Sequence, residues 1–202
     1  NKPTLAGEEL SFRLIFEGHS AVMLLIDPQS GNILDANQSA VDFYGYSKSV
    51  LCNMSINDIN TLPPEQVAGE RRKVLNRERN YFIFSHRLAG GEERVVEVHS
   101  SSITLGEKEV LFSIIHDITV RKRVDEELRK SEERYRTLFD NMMDGIYRST
   151  HAGKFVDVNP AMVRMFGYSS REEMLAVDIK KELYFSPKER GSHILDTGQK
   201  EV

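Results

Sequence analysis

Residues 31–47 read Gly31-Asn-Ile-Leu-Asp35-Ala-Asn37-Gln-Ser-Ala-Val41-Asp-Phe43-Tyr44-Gly45-Tyr46-Ser47. The apolar run over Asn32 to Ala36 has the length of a short strand. Asn37 then suits a helix N-cap, because its short side chain can accept a bond from the free N–H groups of a first turn. Gln38 to Tyr44 continues as the helix, and Gly45 stops it. The same strand, cap, helix and stop recur further along. Gly153-Lys-Phe-Val-Asp157-Val-Asn159 and Val163-Arg-Met-Phe-Gly167-Tyr168-Ser169 stand at a constant offset of 122 residues (153 − 31), and Tyr135-Arg-Thr-Leu-Phe139 echoes Phe12-Arg-Leu-Ile-Phe16 at 123 (135 − 12). Downstream, Phe185-Ser186-Pro187-Lys188 is the counterpart of Leu62-Pro63-Pro64-Glu65. Self-similarity of this extent means two copies of one module in tandem.

Period and punctuation place the remaining elements of the first copy. Leu10 to Glu17 reads as a short helix, and Ala21 to Asp27 as a strand joined to the next by the turn Pro28-Gln-Ser-Gly31. Ser47 to Leu51, Asn57 to Asn60 and Pro63 to Arg79 read as further helical pieces, the last opening on paired prolines. Three longer extended runs follow, Tyr81 to Leu88, Glu93 to Leu105 and Lys108 to Ile118, broken at Gly90-Gly91 and at Gly106. The order is two strands, several small helices, then three strands, an α+β arrangement. With the first copy ending near Thr119, a complete second copy would run to about residue 241 (119 + 122), beyond Val202. The second copy is therefore expected to lack its last three strands and to leave apolar groups around Phe155 and Phe166 exposed.

Between the copies, Val120 to Met142 has no Gly or Pro. It sets Val124, Leu128, Ser131, Tyr135, Leu138 and Met142 at spacings of 4, 3, 4, 3 and 4, a heptad seam on a helix. Such a seam serves either a helix packed on its own domain or a coiled coil with a second copy. Composition narrows the function classes. Of 202 residues, 27 are Lys or Arg and 31 Asp or Glu, a net charge of −4, with none of the basic excess that draws proteins to phosphate backbones. Nucleic acid is not an expected partner. One cysteine excludes an internal disulfide and any multi-cysteine zinc site. No apolar run approaches the roughly 20 residues that cross a bilayer. Asn1 to Gly7 lacks the regions of a signal peptide, so a cytoplasmic location is expected.

Gly-x-x-x-Asp-x-Asn before a helix ending in Tyr-Gly-Tyr-Ser, then Asp117-Ile118-Thr119 running into a charged helix, closely resembles the PAS sensor family. The resemblance covers nearly all of the first copy and the first two thirds of the second. It implies a five-stranded antiparallel sheet with helices on one face enclosing a small-molecule pocket, followed by a linker helix and a truncated second PAS copy. The expected boundaries are an N-terminal helix over 1–17, a first PAS module over 18–119, a connecting helix over 120–138 and an incomplete second module over 139–202. Tandem PAS modules resemble the input half of prokaryotic sensor histidine kinases, diguanylate cyclases and related two-component signalling proteins. No nucleotide-binding glycine motif or nucleophile-base pair is evident, so sensing is expected of this chain and catalysis is not.

Because strand side chains alternate, Val96, Val98, Ser100 and Ser102 share one face, as do Leu111, Ser113 and Ile115, and the small residues among them leave room for a ligand. The candidate pocket comprises Asn37, Phe43, Tyr44, Val96, Val98, Ser100, Leu111, Ser113 and Ile115; a fully packed core without ligand is the alternative. The opposite face, with Val95, Glu97, His99, Ile103, Val110, Phe112, Ile114 and His116, is apolar enough to need cover by a helix or a partner chain.

Haem-holding PAS modules present a histidine from the long helix before the last three strands, and Pro63 to Arg79 contains none. LOV-type flavin members carry a cysteine between Asn and Arg, whereas Cys52 stands between Leu51 and Asn53, so both cofactors are disfavoured. His86, His99 and His116 lie on neighbouring strands near Glu97, where a metal or proton switch could be built, although ordinary surface histidines are the expectation. At the output junction, Thr119 can cap the helix from Val120 while Asp117 pairs with Arg121 or Lys122. A ligand-driven tilt of that helix toward an effector is one functional reading. The other is a ligand-free homodimerisation module working through Leu10, Leu14, the outer sheet face and the linker helix.

Overall fold

A computed structural model of the chain describes the backbone of residues 5–179 and the side chains of residues 11–179. Helix α1 (Leu5–Gly18) leads into β1 (Val22–Ile26) and β2 (Ile33–Ala36). Asp27 holds the hairpin turn between them, its Oδ1 accepting from Gln29 N, Ser30 N and Ser30 Oγ at 3.0, 2.7 and 2.8 Å. Next come α2 (Gln38–Tyr44), α3 (Lys48–Leu51), α4 (Ile56–Ile59) and α5 (Pro64–Leu75), each opening after a residue suited to a helix start. Ser47 caps α3, Ser55 forms a capping box with Asp58 in α4, and Pro64 occupies the first turn of α5. The expected helix to Arg79 stops at Leu75, because Arg77 turns left-handed at φ 57° and ends the hydrogen-bonded run.

β3 (Tyr81–Arg87), β4 (Glu93–Leu105) and β5 (Lys108–Asp117) complete a five-stranded, wholly antiparallel sheet in the order β2-β1-β5-β4-β3. Alternation divides its two faces. Leu24, Phe82, Val96, Val98, Leu111 and Ile115 pack inward against Ala40, Tyr44, Leu51, Ile59, Val67 and Val74 of α2–α5. On the other face, Met23, Leu25 and Val110 are buried with Phe16 of α1, and Phe12 lies edge-on to Phe112 at 6.2 Å. The first helix of the chain therefore supplies part of the cover that the outer face requires. Leu14 and Ile15 of α1 remain 68% and 66% exposed; the side chain of Leu10 lies outside the described residues.

α6 (Thr119–Asn141) is one continuous helix, and the chain divides into two compact units within it, between Asp125 and Glu126. That division falls inside the connecting helix expected over 120–138. In the second unit, β6 (Tyr147–Ser149) pairs with β7 (Phe155–Val158), followed by α7 (Pro160–Phe166) and α8 (Arg171–Leu175). Asn159 repeats the bonding of Asn37: its Oδ1 accepts from Met162 N and Ile146 N, both at 2.9 Å, and its Nδ2 donates to Asp144 O and Phe139 O. Contrary to expectation Phe155 is buried, packed with Val158, Met162, Met174, Val177 and Ile179, because α8 and the segment after it close over β7. Phe166 is exposed as expected. The last three strands of the second copy and the Phe185–Lys188 repeat lie outside the described residues.

Candidate functional site: a cavity under α5 of the first unit

The inner face of the sheet and α5 enclose a cavity of about 40 Å³. That is room for about three waters, since one needs roughly 10–15 Å³. α5 turns Val67, Glu70, Arg71 and Val74 toward it, the i, i+3, i+4, i+7 face of a helix. The sheet contributes Leu24 and Ile26 from β1, Phe82, Phe84 and His86 from β3, Val98 and Ser100 from β4, and Leu111, Ser113 and Ile115 from β5. Ile56 and Asn60 close the remaining side.

Most of this lining is apolar, and the polar groups in it are specific. The hydroxyls of Ser100 and Ser113, opposite one another in the β4–β5 register, lie 2.6 Å apart and satisfy each other. His86 is 1% exposed, with Tyr44 Oη 2.9 Å from its Nδ1 and its Nε2 buried without a partner. Burial pushes its pKa down to about 3, so the ring is neutral at pH 7, and burial likewise pushes the Tyr44 hydroxyl far above its ordinary value. Asn60 Nδ2, Glu70 Oε2, and Arg71 Nε and Nη1 are also buried without a partner. Buried polar groups are nearly always hydrogen-bonded, so four such side chains around one cavity require an explanation.

The expected pocket residues are divided by the structure. Val98, Ser100, Leu111, Ser113 and Ile115 line the cavity; Val96 is buried in the core beside it. Phe43 packs at the edge of the core, and Tyr44 stands behind His86 without lining the cavity. Asn37 is a tether. Fully buried, it accepts at Oδ1 from Met23 N and Ala40 N, both at 3.0 Å, and donates from Nδ2 to Ala21 O and His19 O at 2.8 and 3.2 Å. All of its hydrogen-bonding capacity goes into joining α2 to the start of β1, which leaves none for a ligand. Asn60, Glu70, Arg71 and His86 also line the cavity, although the sequence does not mark them as pocket residues. The mixed apolar and charged face of α5, and the alternation Phe82, Phe84, His86 along β3, were the signals available.

Pairing register separates the histidines. His86 points inward, whereas Glu97 opposes His116 and His99 opposes Tyr81 and Ile114 on the outer face. There His99 Nε2 lies 3.0 Å from Glu97 Oε1, and this bond holds the Glu97 carboxyl below the usual range. Among the described residues, no group of three or more His, Cys, Asp or Glu side chains is placed to hold a metal. Cys52 is half-buried, its thiol is pushed up by burial, and it does not line the cavity.

The output junction differs from the expected arrangement. Asp117 pairs with Arg94 at 3.0 Å, not with Arg121 or Lys122, because Val96 opposes Asp117 and brings Arg94 diagonally within reach on the same face. Arg121 lies exposed in the first turn of α6. The capping roles are also exchanged. Asp117 Oδ1 accepts from Thr119 N at 2.8 Å, while the buried Thr119 turns its hydroxyl back to β4 and accepts from Val95 N at 2.9 Å.

A largely apolar cavity beneath α5, on a five-stranded antiparallel sheet whose last strand runs directly into a helix, is the architecture of the first unit. Models of the PAS domain match residues 20–120 and 133–197, and the chain belongs to the PAS domain family. It is 36% identical over 121 residues to the diguanylate cyclase DgcM of Escherichia coli, covering 56% of this chain and 28% of that protein. To sporulation kinase E of Bacillus subtilis it is 26% identical over 166 residues, covering 81% of this chain and 22% of that protein. The chain thus spans about a quarter of the length of these two relatives. Its fold is like that of an RNA-binding light-oxygen-voltage receptor, with a TM-score of 0.53 at 16% identity over 65% of this chain and 39% of that one. The chain is a PAS sensory input module of signalling proteins. Among the described residues no helix is long and apolar enough to cross a membrane.

Proposed function

We propose that the first unit takes a small molecule into the cavity beneath α5 and passes its occupancy through Asp117-Ile118-Thr119 and α6 to a downstream effector, a kinase or cyclase as in the relatives. One observation carries this reading: Asn60, Glu70, Arg71 and His86 all keep buried polar atoms without protein partners around one cavity. Each such group costs about 1–3 kcal/mol if left unpaired, and a polar ligand would offset several at once. Haem and LOV-type flavin fit poorly, because α5 presents no histidine to the cavity and Cys52 is not at it. The proposed relay is a shift in population between two settings of α6, biased by ligand through the strands that Thr119 and Asp117 tie together. A cytoplasmic location suits this reading.

A second reading, a ligand-free homodimer module, is favoured by the seam of α6. Val124, Leu128, Tyr135 and Leu138 are 54–59% exposed along it, and a parallel partner helix would cover them. Native mass spectrometry of the chain under gentle and denaturing conditions separates the two. Extra mass lost on denaturation supports the sensor; an empty dimer supports the dimer module. For the relay, Asp117→Ala with Thr119→Ala should leave ligand binding near wild type and uncouple the effector in the full-length protein. Unchanged output regulation in that variant would refute the relay.

A further inference from the structure

The unpartnered atoms around the cavity have a direction, and their sum identifies a ligand chemistry. Asn60 is 6% exposed, and its Oδ1 accepts from Leu62 N at 2.9 Å. Only the amide oxygen can accept that bond, so the orientation of the side chain is fixed and its two Nδ2 hydrogens are left at the cavity. Asn60 and His86 are bridged through their backbones, which sets the two side chains next to each other. The tautomer of His86 follows from Tyr44. Tyr44 is fully buried, and His86 Nδ1 is the hydrogen-bond partner of its hydroxyl. If Tyr44 donates to Nδ1, Nε2 carries the hydrogen and one donor waits in the cavity. The reverse tautomer would strand both the tyrosine hydrogen and the Nε2 lone pair, a worse outcome by one buried group. His86 is therefore a neutral donor at Nε2.

Arg71 adds a permanent positive charge. Its Nε and Nη1 are buried without partners, and its contact through Nη2, to Gln29 O, is long at 3.4 Å. Against these donors stands one unpartnered acceptor, Glu70 Oε2, whose companion Oε1 is bound by Lys73 Nζ at 2.9 Å. Donors from three side chains outnumber acceptors from one, and among the described residues Arg71 is the one cation lining the cavity, with Glu70 paired to Lys73 and Asp27 of the β1–β2 turn acting on Arg71 from outside it. A cation would meet Arg71, and a neutral alcohol has too few lone pairs. A carboxylate, with two oxygens and about four lone-pair sites, matches. Glu70 Oε2 is then served by a water or by a hydroxyl on the ligand. Behind the polar groups lie Phe82, Phe84, Val74 and Leu111, an apolar wall that suits a hydrocarbon body and not an inorganic oxyanion.

We infer that the cavity binds a short-chain monocarboxylate, its carboxyl group held by Asn60, His86 and Arg71 and its alkyl end against the phenylalanines of β3. The volume of about 40 Å³, room for about three water-sized groups, favours the shortest members, acetate above propionate. This inference rests on the reading of the cavity as a ligand site, and the test keeps the two apart. The 202-residue chain is titrated with sodium acetate, sodium propionate, acetamide and inorganic phosphate, following backbone amide shifts.

Saturable shifts at residues 60, 71 and 82–86 with acetate or propionate, and none with acetamide or phosphate, are expected. Arg71→Gln should weaken that binding by about tenfold or more, the loss of a charged hydrogen-bond partner. Arg71→Lys, which keeps the charge, should fall between, and circular dichroism reports whether either variant has lost its fold. Acetamide binding as well as acetate, or indifference of a folded Arg71→Gln to the change, overturns the carboxylate. A retained molecule in the native mass spectrum that is not a carboxylate also overturns it while leaving the sensor standing. An empty spectrum together with no binding of any probe overturns both.

Discussion

Replacing Asn37 with alanine separates a structural role from a ligand-binding one at the end of the repeated motif. The substitution deletes an acceptor shared by two buried amides, Met23 N and Ala40 N, and two donors to the carbonyls of His19 and Ala21. Ala40 N keeps its backbone bond to Asn37 O at 3.0 Å, so its loss is that of a side-chain cap, about 1 kcal/mol. Met23 N loses a buried acceptor, which costs about 1–2 kcal/mol, and the two partly buried carbonyls regain some water at about 0.5 kcal/mol each. Together these lower the stability of the first unit by about 3–4 kcal/mol. At a urea slope of about 2 kcal/mol per molar, its unfolding midpoint should fall by about 1.5–2 M. Urea titration followed by circular dichroism, with amide exchange assigning the transition to the first unit, measures this. Asn37→Ser keeps the cap and should lie between. Asn159→Ala, which removes the equivalent four bonds, should lower the second unit instead. An Asn37→Ala chain within about 0.5 M of wild type, with ligand binding lost, would refute the tether and return Asn37 to the pocket.

Gly31→Ala tests the seat of Arg71. Gly31 stands at φ 80°, and a Cβ there would run into the Arg71 guanidinium, whereas Gly45 at φ 75° would meet only Ala89 Cβ at 3.4 Å. Both substitutions incur the left-handed penalty of about 1–2 kcal/mol. Gly31→Ala should in addition displace the guanidinium, the movable end of a flexible side chain, and so weaken acetate binding where Gly45→Ala does not; equal affinities in the two variants would sink the argument. The protonation of His86 gives a pH dependence. With its folded pKa pushed down to about 3 and its unfolded value near 6.5, the unfolded chain binds more protons between those limits, so stability falls as pH drops below about 6.5. Between pH 7 and pH 5 wild type should lose about 2 kcal/mol more than His86→Leu, read as the difference in urea midpoints; parallel slopes would contradict it. For the seam of α6, Leu128→Glu with Leu138→Glu should convert a dimer to a 23.1 kDa monomer in light scattering, and an unchanged mass would leave the seam without that role.

The repeat made the fold legible because its punctuation is local. Asn37 and Gly45, like Asn159 and Gly167, mark helix ends through their own backbone chemistry, and such marks survive without knowledge of any distant contact. Strand alternation was equally local, and it placed Val98, Ser100, Leu111, Ser113 and Ile115 on the correct face. What stayed hidden depends on pairing. That His86 turns inward while His99 and His116 turn outward is set by the β3–β4–β5 register, which sequence leaves open by one residue. Arg71 reads as an ordinary charge on an exposed helix until the β1–β2 turn is found beneath it. Asp117 likewise pairs across the strands with Arg94, a choice invisible to arguments confined to neighbours in sequence.

The same two strands carry both the cavity floor and the output junction, which bears on how occupancy could leave the first unit. Ser100 and Ser113 face each other beneath the cavity, and four residues further along β5 Asp117 opposes Val96, at about 3.3 Å per residue a span of about 13 Å. Between them the register holds Val98 against Ile115, both lining the cavity. Under the proposed relay, a ligand that spreads the β4–β5 pair at the serines need move nothing else before it reaches Val95, where Thr119 is bound. Thr119 belongs to the first turn of α6 and accepts from Val95 N, so under that proposal a change in strand separation would reach the seating of the helix through this bond. A side chain on α5 has no such path through paired strands. The physical prediction is therefore asymmetric: shortening Ser113 to alanine should weaken ligand-dependent coupling without weakening binding, whereas Arg71→Gln should weaken binding by about tenfold or more and leave coupling intact once the cavity is saturated.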